Sequence, residues 1–109
     1  MPKGDYLGEF EQLVLLALLR LGDTAYGVTI RRELSERAER DVSFGTVYST
    51  LDRLEEKGFI SSRMGEPTAE RGGRAKKYFK IEAAGEHALR RSRETADRMW
   101  AGLPIPGTA

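Results

Sequence analysis

Basic residues are concentrated in one short stretch of the sequence, RGGRAKKYFKI, at positions 71–81. Residues 65–80 carry five basic and two acidic side chains, a local charge of +3 in a chain whose net charge is only +1. Cationic side chains bind phosphates and release counterions from nucleic acid, and glycines let a loop approach a phosphate backbone closely. The residues predicted to contact phosphates are Arg71, Arg74, Lys76, Lys77 and Tyr78. The alternative is an ordinary basic hairpin whose lysines keep the protein soluble.

A second group of chemically useful residues lies in SFGTVYSTLDRL. Apolar residues recur at helical spacing through this segment, and Ser43 before them can cap a helix by accepting an N–H hydrogen bond. Hydroxyl groups and an arginine on the opposite face can approach base edges or phosphates. The residues predicted on this face are Ser43, Thr46, Tyr48, Ser49, Thr50 and Arg53. Asp52 and Glu56 also point outward and would repel phosphate, so a solvent-exposed face with a helix cap is the alternative.

These two stretches must be positioned by the flanking helices. The segment Gly8–Leu21 is apolar at nearly every position around a helix, which predicts burial against its own core and against a second subunit. A Gly-Asp pair ends this helix. Thr24 is then predicted to cap a second helix whose inward residues are Tyr26, Ile30 and Leu34. SFGTVYSTLDRL begins the third helix, which the glycine at position 58 ends.

Two strands and a long helix follow. FISSRM and the segment Lys76–Ile81 are predicted to form a hairpin. In the second strand Phe79 points toward the core, so Tyr78 points outward. A helix from Ala83 to Leu103 carries apolar residues near a 3.5-residue period, a spacing suited to a dimer contact. A proline ends this helix, and residues 104–109 are predicted to form a disordered tail.

This order of elements indicates one fold. Three helices, a strand, a basic loop, a second strand and a long helix form a winged helix-turn-helix with an added C-terminal dimerisation helix. The predicted fold class is mainly α with a small β hairpin. Residues 1–82 are the predicted DNA-binding domain, and residues 83–103 are the dimerisation helix of the same compact unit. In a helix-turn-helix the second helix of the motif enters the major groove of DNA.

Composition argues against several other classes of protein. The 109-residue chain has no cysteine, which excludes disulfides and thiolate metal sites. The longest apolar run, LVLLALL, is shorter than the ~18–20 residues of a membrane span, and no secretory leader pattern is found. His87 is the only histidine, whereas zinc needs several converging ligands. With no nucleophile–base pair in the sequence, we expect no enzymatic activity, metal or cofactor, and we expect the protein in the cytoplasm.

Four motifs extend over nearly the whole chain, from about Leu7 to Leu103. They are GEFEQLVLLALL, AYGVTIRREL, SFGTVYSTLDRLEEKGFI and GGRAKKYFKIEAAGE. Together they resemble the PadR-type transcriptional regulators, a family of dimeric winged-helix repressors. The chain departs from the family pattern at Ser49, where members often have proline, and at Glu82, where they often have threonine. The first departure bears on groove contacts, and the second removes a preferred cap of the last helix.

The resemblance implies how the surfaces are used. It places Thr46 and Tyr48 on DNA. It also places there Arg74, Lys76 and Lys77 of the wing, which is the predicted hairpin with its loop. It also implies that the last helix crosses the first helix of a partner to form a homodimer. In some family members an aromatic effector lies between the subunits, and the residues placed for it here are Phe10, Met99 and Trp100. The alternative is that the tryptophan only anchors the dimer interface through its large buried area.

The sequence therefore predicts a sequence-specific, DNA-binding transcriptional regulator. We expect a homodimeric repressor, released by a small aromatic molecule, that recognises a pseudo-palindromic duplex with half-sites ~34–36 Å apart. An alternative from another class is a winged-helix module for protein–protein assembly that does not bind DNA. The small net charge and the acids on the third helix favour that alternative.

Overall fold

The computed structural model describes residues 6–66 and 75–104. Its helices are α1 (Glu9–Leu21), α2 (Gly27–Ala38), α3 (Phe44–Glu56) and α4 (Ala83–Trp100), and its strands are β1 (Ile60–Met64) and β2 (Lys77–Ile81). A 3-10 turn, Gly22–Thr24, connects α1 to α2. This order confirms the predicted fold class, mainly α with one antiparallel hairpin. The predicted phosphate contacts Arg71 and Arg74 lie outside the described residues, as do residues 105–109 of the predicted tail.

The first three helices enclose one hydrophobic core because each carries apolar residues at helical spacing. Its fully buried side chains include Val14, Leu15, Ile30, Leu34, Val47, Leu51 and Leu54. Phe79 of β2 and Phe59, which directly precedes β1, add their buried rings. At the start of α3, Ser43 Oγ accepts a hydrogen bond from the Thr46 N–H (3.1 Å), which confirms the predicted cap. The cap and the buried stripe together set which face of α3 meets solvent.

The hairpin is attached to the helices mainly through β2. The strands pair antiparallel with Ser62 opposite Phe79. On the other edge of β2, the Phe79 N–H donates to the Ala25 carbonyl oxygen (2.9 Å), and one bridge joins Tyr26 to Tyr78. A two-stranded hairpin is only marginally stable alone. These backbone bonds and the buried Phe79 ring hold its base on the helical core.

The start of α2 differs from the prediction. Thr24 does not cap this helix, because its hydroxyl donates to the Leu21 carbonyl oxygen (2.7 Å) within the turn. The Tyr26 N–H donates instead to Thr29 Oγ1 (3.0 Å). The 3-10 turn therefore moves the cap position to Tyr26. The hydroxyl of Thr29, inside the helix, accepts the hydrogen bond of the Tyr26 N–H.

The end of α4 also differs from the prediction. The helix ends at Trp100 rather than at Leu103. Ala101 takes an extended conformation, and Gly102 has a φ of 79°, so the chain turns there. At the other end of the helix Glu82 is the N-cap residue, and its side chain accepts no hydrogen bond from the first turn, in agreement with the missing threonine at that position.

Gly85 allows the first turn of α4 to pass close to the chain that follows α3. A Cβ at this position would lie 2.3 Å from the Phe59 carbonyl oxygen and 2.9 Å from Ile81 Cγ1. Because the nearest atom belongs to the backbone, we expect Gly85→Ala to lower the free energy of unfolding by about 1–3 kcal/mol, a usual cost of overpacking. Urea denaturation of the two proteins measures the difference.

Gly45→Ala is the matched control, since a Cβ there meets nothing closer than Ser43 Oγ at 3.7 Å. Alanine at this exposed helical position should leave the free energy of unfolding unchanged or raise it by up to about 1 kcal/mol. Equal stability of the Gly85→Ala and Gly45→Ala variants would contradict the close approach of α4.

Candidate nucleic-acid interface

The first turns of α3 present a polar face to solvent. Ser43, Thr46 and Ser49 are exposed. Ser43 Oγ lies 3.1 Å from Thr46 Oγ1, and Ser49 Oγ donates to the Thr46 carbonyl oxygen (3.1 Å). Hydroxyl groups both donate and accept, so this face offers partners for base edges and for phosphates. The structure brings these three predicted residues together at the end of α3 that a helix-turn-helix directs toward DNA.

Thr50 does not belong to this face. Its side chain is 1% exposed, and its hydroxyl donates to the Thr46 carbonyl oxygen (2.9 Å). The prediction that Thr50 contacts DNA is therefore wrong. Thr50 follows Val47 by three positions and precedes Leu54 by four, so it shares their side of the helix. A threonine that bonds its hydroxyl to the preceding turn can be buried there without losing a hydrogen bond.

Tyr48 connects α3 to the start of α2. Its ring is partly exposed, and a Cβ at Gly27 would lie 2.1 Å from its hydroxyl oxygen. The tyrosine therefore rests against the first turn of α2, where only glycine leaves room for it. The role of Gly27 was missed because a glycine inside a predicted helix indicates only a lower helix propensity.

Arg53 is held by an acid from α1. Its Nη2 donates to Thr50 Oγ1 (3.3 Å), and its Nε lies 3.9 Å from Glu11 Oε2. Glu11 is only 8% exposed and also accepts hydrogen bonds from Lys57 Nζ (3.0 Å) and from the Gly8 N–H (2.9 Å). The Arg53 side chain remains 55% exposed. Its guanidinium can therefore still reach DNA, but from a restricted position.

The charge on Glu11 follows from these partners. Burial alone would raise the pKa of the Glu11 carboxyl, but the Gly8 N–H bond, the bond and charge of Lys57 and the charge of Arg53 outweigh it. The pKa of Glu11 therefore lies below its usual value, and the carboxylate joins α1 to Arg53 of α3 and to Lys57, which directly follows α3. Sequence reasoning missed this link because Glu11 and Lys57 are 46 positions apart.

Arg31 and Phe44 extend the exposed surface beside α3. Arg31 Cζ lies 4.5 Å from the centroid of the Phe44 ring, and its Nε donates to the Val42 carbonyl oxygen (2.7 Å). Both side chains are exposed. A guanidinium stacked on an aromatic ring keeps its charge while its position is restricted. Arg31 was missed because its place on α2 indicated an ordinary solvent-facing charge.

Aromatic and cationic side chains alternate at the base of the hairpin. We call Tyr26, Arg63, Lys76 and Tyr78 the wing-base cluster. Lys76 Nζ lies 4.6 Å from the Tyr26 ring centroid, and Arg63 Cζ lies 4.7 Å from that of Tyr78. The two tyrosine rings meet edge to face at 5.5 Å. Tyr78 lies on the face of β2 opposite the buried Phe79, but its ring is half buried because the Tyr26 ring packs against it.

The two lysines of the wing have different surroundings. Lys77 Nζ lies 3.9 Å from Glu55 Oε1, so an acid of α3 offsets part of its charge. Lys76 lies over the Tyr26 ring and makes no ion pair within residues 6–66 and 75–104. The structure therefore favours Lys76 over Lys77 as a phosphate contact.

A largely apolar groove runs between α1 and α4. Leu16 and Leu19 of α1 are 45% and 47% exposed. Together with Leu89 and Ala96 of α4 they line an open groove of about 490 Å³. Apolar surface that is left exposed on two neighbouring helices is typical of an interaction site.

The residues predicted for an effector have different surroundings within one chain. Phe10 is partly buried and packs against the core. Met99 and Trp100 are exposed at the end of α4. On its α4 side, the groove between α1 and α4 extends from Glu86 to Ala96 and so stops before both of them.

Two further features of the described chain bear on the chemistry of this surface. None of its helices is both long enough and apolar enough to cross a lipid bilayer. Within residues 6–66 and 75–104, no three histidine, cysteine, aspartate or glutamate side chains form a group that could hold a metal, and His87 is exposed on α4. What the α3 face and the wing-base cluster offer is hydrogen bonding, stacking and positive charge.

Comparisons with known proteins agree with the motifs. The model of the transcriptional regulator PadR-like family matches residues 15–91. The structure of a PadR-like transcription factor from Bacteroides fragilis is 28% identical, with a TM-score of 0.69 over 83% of this chain and 82% of that one. A PadR family transcription regulator from hypervirulent Clostridium difficile R20291 is 27% identical, with a TM-score of 0.65 over 87% of this chain and 100% of that one.

A third solved structure shares the fold at lower identity. Bacillus subtilis PadR in complex with operator DNA is 24% identical, with a TM-score of 0.59 over 93% of this chain and 54% of that one. No curated protein matches the sequence significantly.

Proposed function

Because this chain belongs to the PadR-like family of transcriptional regulators, we propose that it binds operator DNA as a homodimer and represses transcription. The observation that carries the proposal is the polar start of α3, which faces solvent and adjoins the wing-base cluster. Tyr48 of α3 rests on Gly27, and Gly27 directly follows Tyr26 of that cluster. The two surfaces are therefore continuous, as one duplex requires.

Each part of this surface has a proposed role. Thr46 and Ser49 offer hydroxyl groups to base edges in the major groove, and Tyr48 offers one to a phosphate. Arg53 takes a guanine or a phosphate with the exposed part of its guanidinium. Lys76 neutralises a phosphate beside the wing. We expect the protein in the cytoplasm, where its DNA target lies.

A homodimer accounts for the apolar groove. Leu16 and Leu19 of α1, together with Leu89 of α4, expose a surface that α4 of a second copy can cover. A two-fold axis between the copies presents two α3 helices to one face of a duplex. The operator is then pseudo-palindromic, with half-sites ~34–36 Å apart for one helical turn.

Release of repression by a small aromatic molecule completes the proposal. Met99 and Trp100 are exposed in one chain, and Phe10 lies on α1, which the partner's α4 would cross. An aromatic ligand stacked on Trp100 between the subunits would change the angle between the two copies. The two α3 helices would then no longer fit adjacent half-sites.

Lys76→Ala tests whether the wing-base cluster faces DNA. Loss of one phosphate contact should weaken binding to all duplexes and flatten the slope of log K against log salt by about 1. Fluorescence anisotropy between about 50 and 200 mM salt measures this slope. The probes are a duplex from upstream of the protein's own gene and an unrelated duplex of equal length.

Lys80→Ala is the matched control because Lys80 lies on β2, the strand that Lys76 directly precedes, and is highly exposed, with its Nζ 3.8 Å from Glu82 Oε2. It should change the slope less than Lys76→Ala does. Equal slopes for the wild type and Lys76→Ala would remove this cluster from the interface. If the wild type binds neither duplex at the lowest salt, the assembly module becomes the better hypothesis.

A further inference from the structure

We propose that Glu55 is a positioning residue whose carboxylate ties both strands of the wing to α3 and so determines where the wing meets DNA. The inference rests on the proposed function, because it assumes that α3 and the wing bind the same duplex. It concerns a residue that itself touches no DNA in the proposal. Its contribution is therefore geometric.

The geometry of Glu55 is that of a bridge between three elements. Its Oε2 accepts a hydrogen bond from Ser62 Oγ on β1 (2.7 Å). Its Oε1 lies at ion-pair distance from Lys77 Nζ on β2 (3.9 Å). Ser62 pairs with Phe79 across the hairpin, and Lys77 pairs with Met64. The two oxygens of one carboxylate therefore reach successive cross-strand pairs on the same face of the sheet.

Apart from Ile60, which is buried in the core at its start, the outer strand is attached to the helices by polar side chains. The backbone of β2 is bonded to β1 on one edge and to the residues before α2 on the other, but β1 has β2 as its only strand partner among the described residues. Side chains must therefore hold β1. On one face of the sheet the Ser62 hydroxyl donates a hydrogen bond to Glu55. On the other face the Ser61 hydroxyl donates one to Glu82 Oε2 (3.1 Å). Glu55 is the acid that comes from the helix proposed to read DNA.

This role predicts that removing Glu55 changes DNA affinity in the direction opposite to that expected from charge repulsion alone. An acid near a proposed DNA surface should repel phosphate, so its removal should tighten binding. If Glu55 positions the wing, its removal should weaken binding instead, because the wing cations lose their fixed distance from α3. Glu56 is the matched comparison, since it is the next residue on α3, carries the same charge and is exposed.

The experiment compares Glu55→Ala, Glu56→Ala and Ser62→Ala in the full chain by DNA binding and by hydrogen exchange. We expect Glu55→Ala to weaken DNA binding about 5- to 10-fold, as for the loss of one hydrogen bond. Glu56→Ala should bind as tightly as the wild type or more tightly. Ser62→Ala changes no charge, so a loss of affinity in this variant must come from position. In the double variant the two losses should not add.

Hydrogen exchange provides a readout without DNA. The amides of β1 should exchange faster in Glu55→Ala and Ser62→Ala, whereas those in the middle of α1 should not change. Glu55→Gln keeps an acceptor for Ser62 and should recover most of the protection.

Two results would overturn the proposal. One is equal or tighter DNA binding by Glu55→Ala, as for Glu56→Ala. The other is unchanged exchange of the β1 amides. If the wild type binds no duplex, the proposed function fails, and the exchange measurement alone still decides whether Glu55 holds the wing.

Discussion

Glutamate in place of Leu16 is expected to separate the protein into monomers and to weaken its binding to a complete operator ~100-fold or more. Leu16 is exposed on α1 and lines the groove with α4. In the proposed dimer it is covered by a second copy, where an unpaired carboxylate is strongly disfavoured. A monomer binds each half-site separately and loses the gain of joining two sites, which is commonly 10²–10⁴-fold.

Sedimentation velocity and fluorescence anisotropy measure the two parts of this prediction. The variant should bind a single half-site about as well as the wild type does, because α3 and the wing are unchanged. Val28→Glu is the control for association, since Val28 is similarly exposed but lies on α2. Its circular dichroism and oligomeric state should match those of the wild type. A stable dimer of Leu16→Glu would exclude α1 from the interface.

Glu11→Gln is expected to lower the free energy of unfolding by about 1.5–3 kcal/mol at neutral pH, the usual value for hydrogen bonds to a charged group. Glu11 is nearly buried and accepts from the Gly8 N–H and from Lys57 Nζ. The amide cannot attract Lys57 and Arg53 as the carboxylate does. Urea denaturation at pH 7 measures the loss of stability. The interaction that is lost joins the first turn of α1 to the far end of α3.

The dependence of this effect on pH has a definite sign. The pKa of Glu11 is lower in the folded protein than in the unfolded chain, so the carboxylate binds protons less readily when folded. Its contribution is fully present above the ordinary glutamate pKa of the unfolded chain and is lost as the pH falls through the lower folded value. The difference between wild type and Glu11→Gln should therefore shrink in acid.

Glu9→Gln is the matched control for Glu11→Gln. Glu9 lies two positions away on α1 and pairs with Arg40, but it is highly exposed. An exposed ion pair contributes ~0–1 kcal/mol, so this variant should change stability little at either pH. If Glu9→Gln lowers the free energy of unfolding as much as Glu11→Gln does, the burial of Glu11 is not the cause of its effect.

The local parts of the proposed interface could be predicted from the sequence. The Ser43 cap, the buried stripe of α3 and the inward Phe79 all depend on residues within a few positions of one another. Exposure of Thr46 and Ser49 follows from the same periodicity. Their contacts with DNA stay predictions.

Residues whose spacing predicts exposure can still be covered by a neighbouring element, and for Thr50 the prediction was wrong. Thr50 is buried at the edge of the core stripe. Tyr78 is half covered by Tyr26, which the 3-10 turn brings beside β2. Lys77 stays a predicted phosphate contact, but it lies at ion-pair distance from Glu55. Each outcome depends on an element that is distant in sequence.

The sequence by itself determined the order of helices and strands, the family and the polar character of α3, because periodicity, caps and motifs are properties of short segments. Only the tertiary structure decided which residues from distant parts of the sequence contact each other. Glu11 meets Lys57 across 46 positions, and Tyr48 meets Gly27 between two helices. Such contacts depend on how the elements pack, and packing is set by the shapes of many side chains together rather than by any one segment.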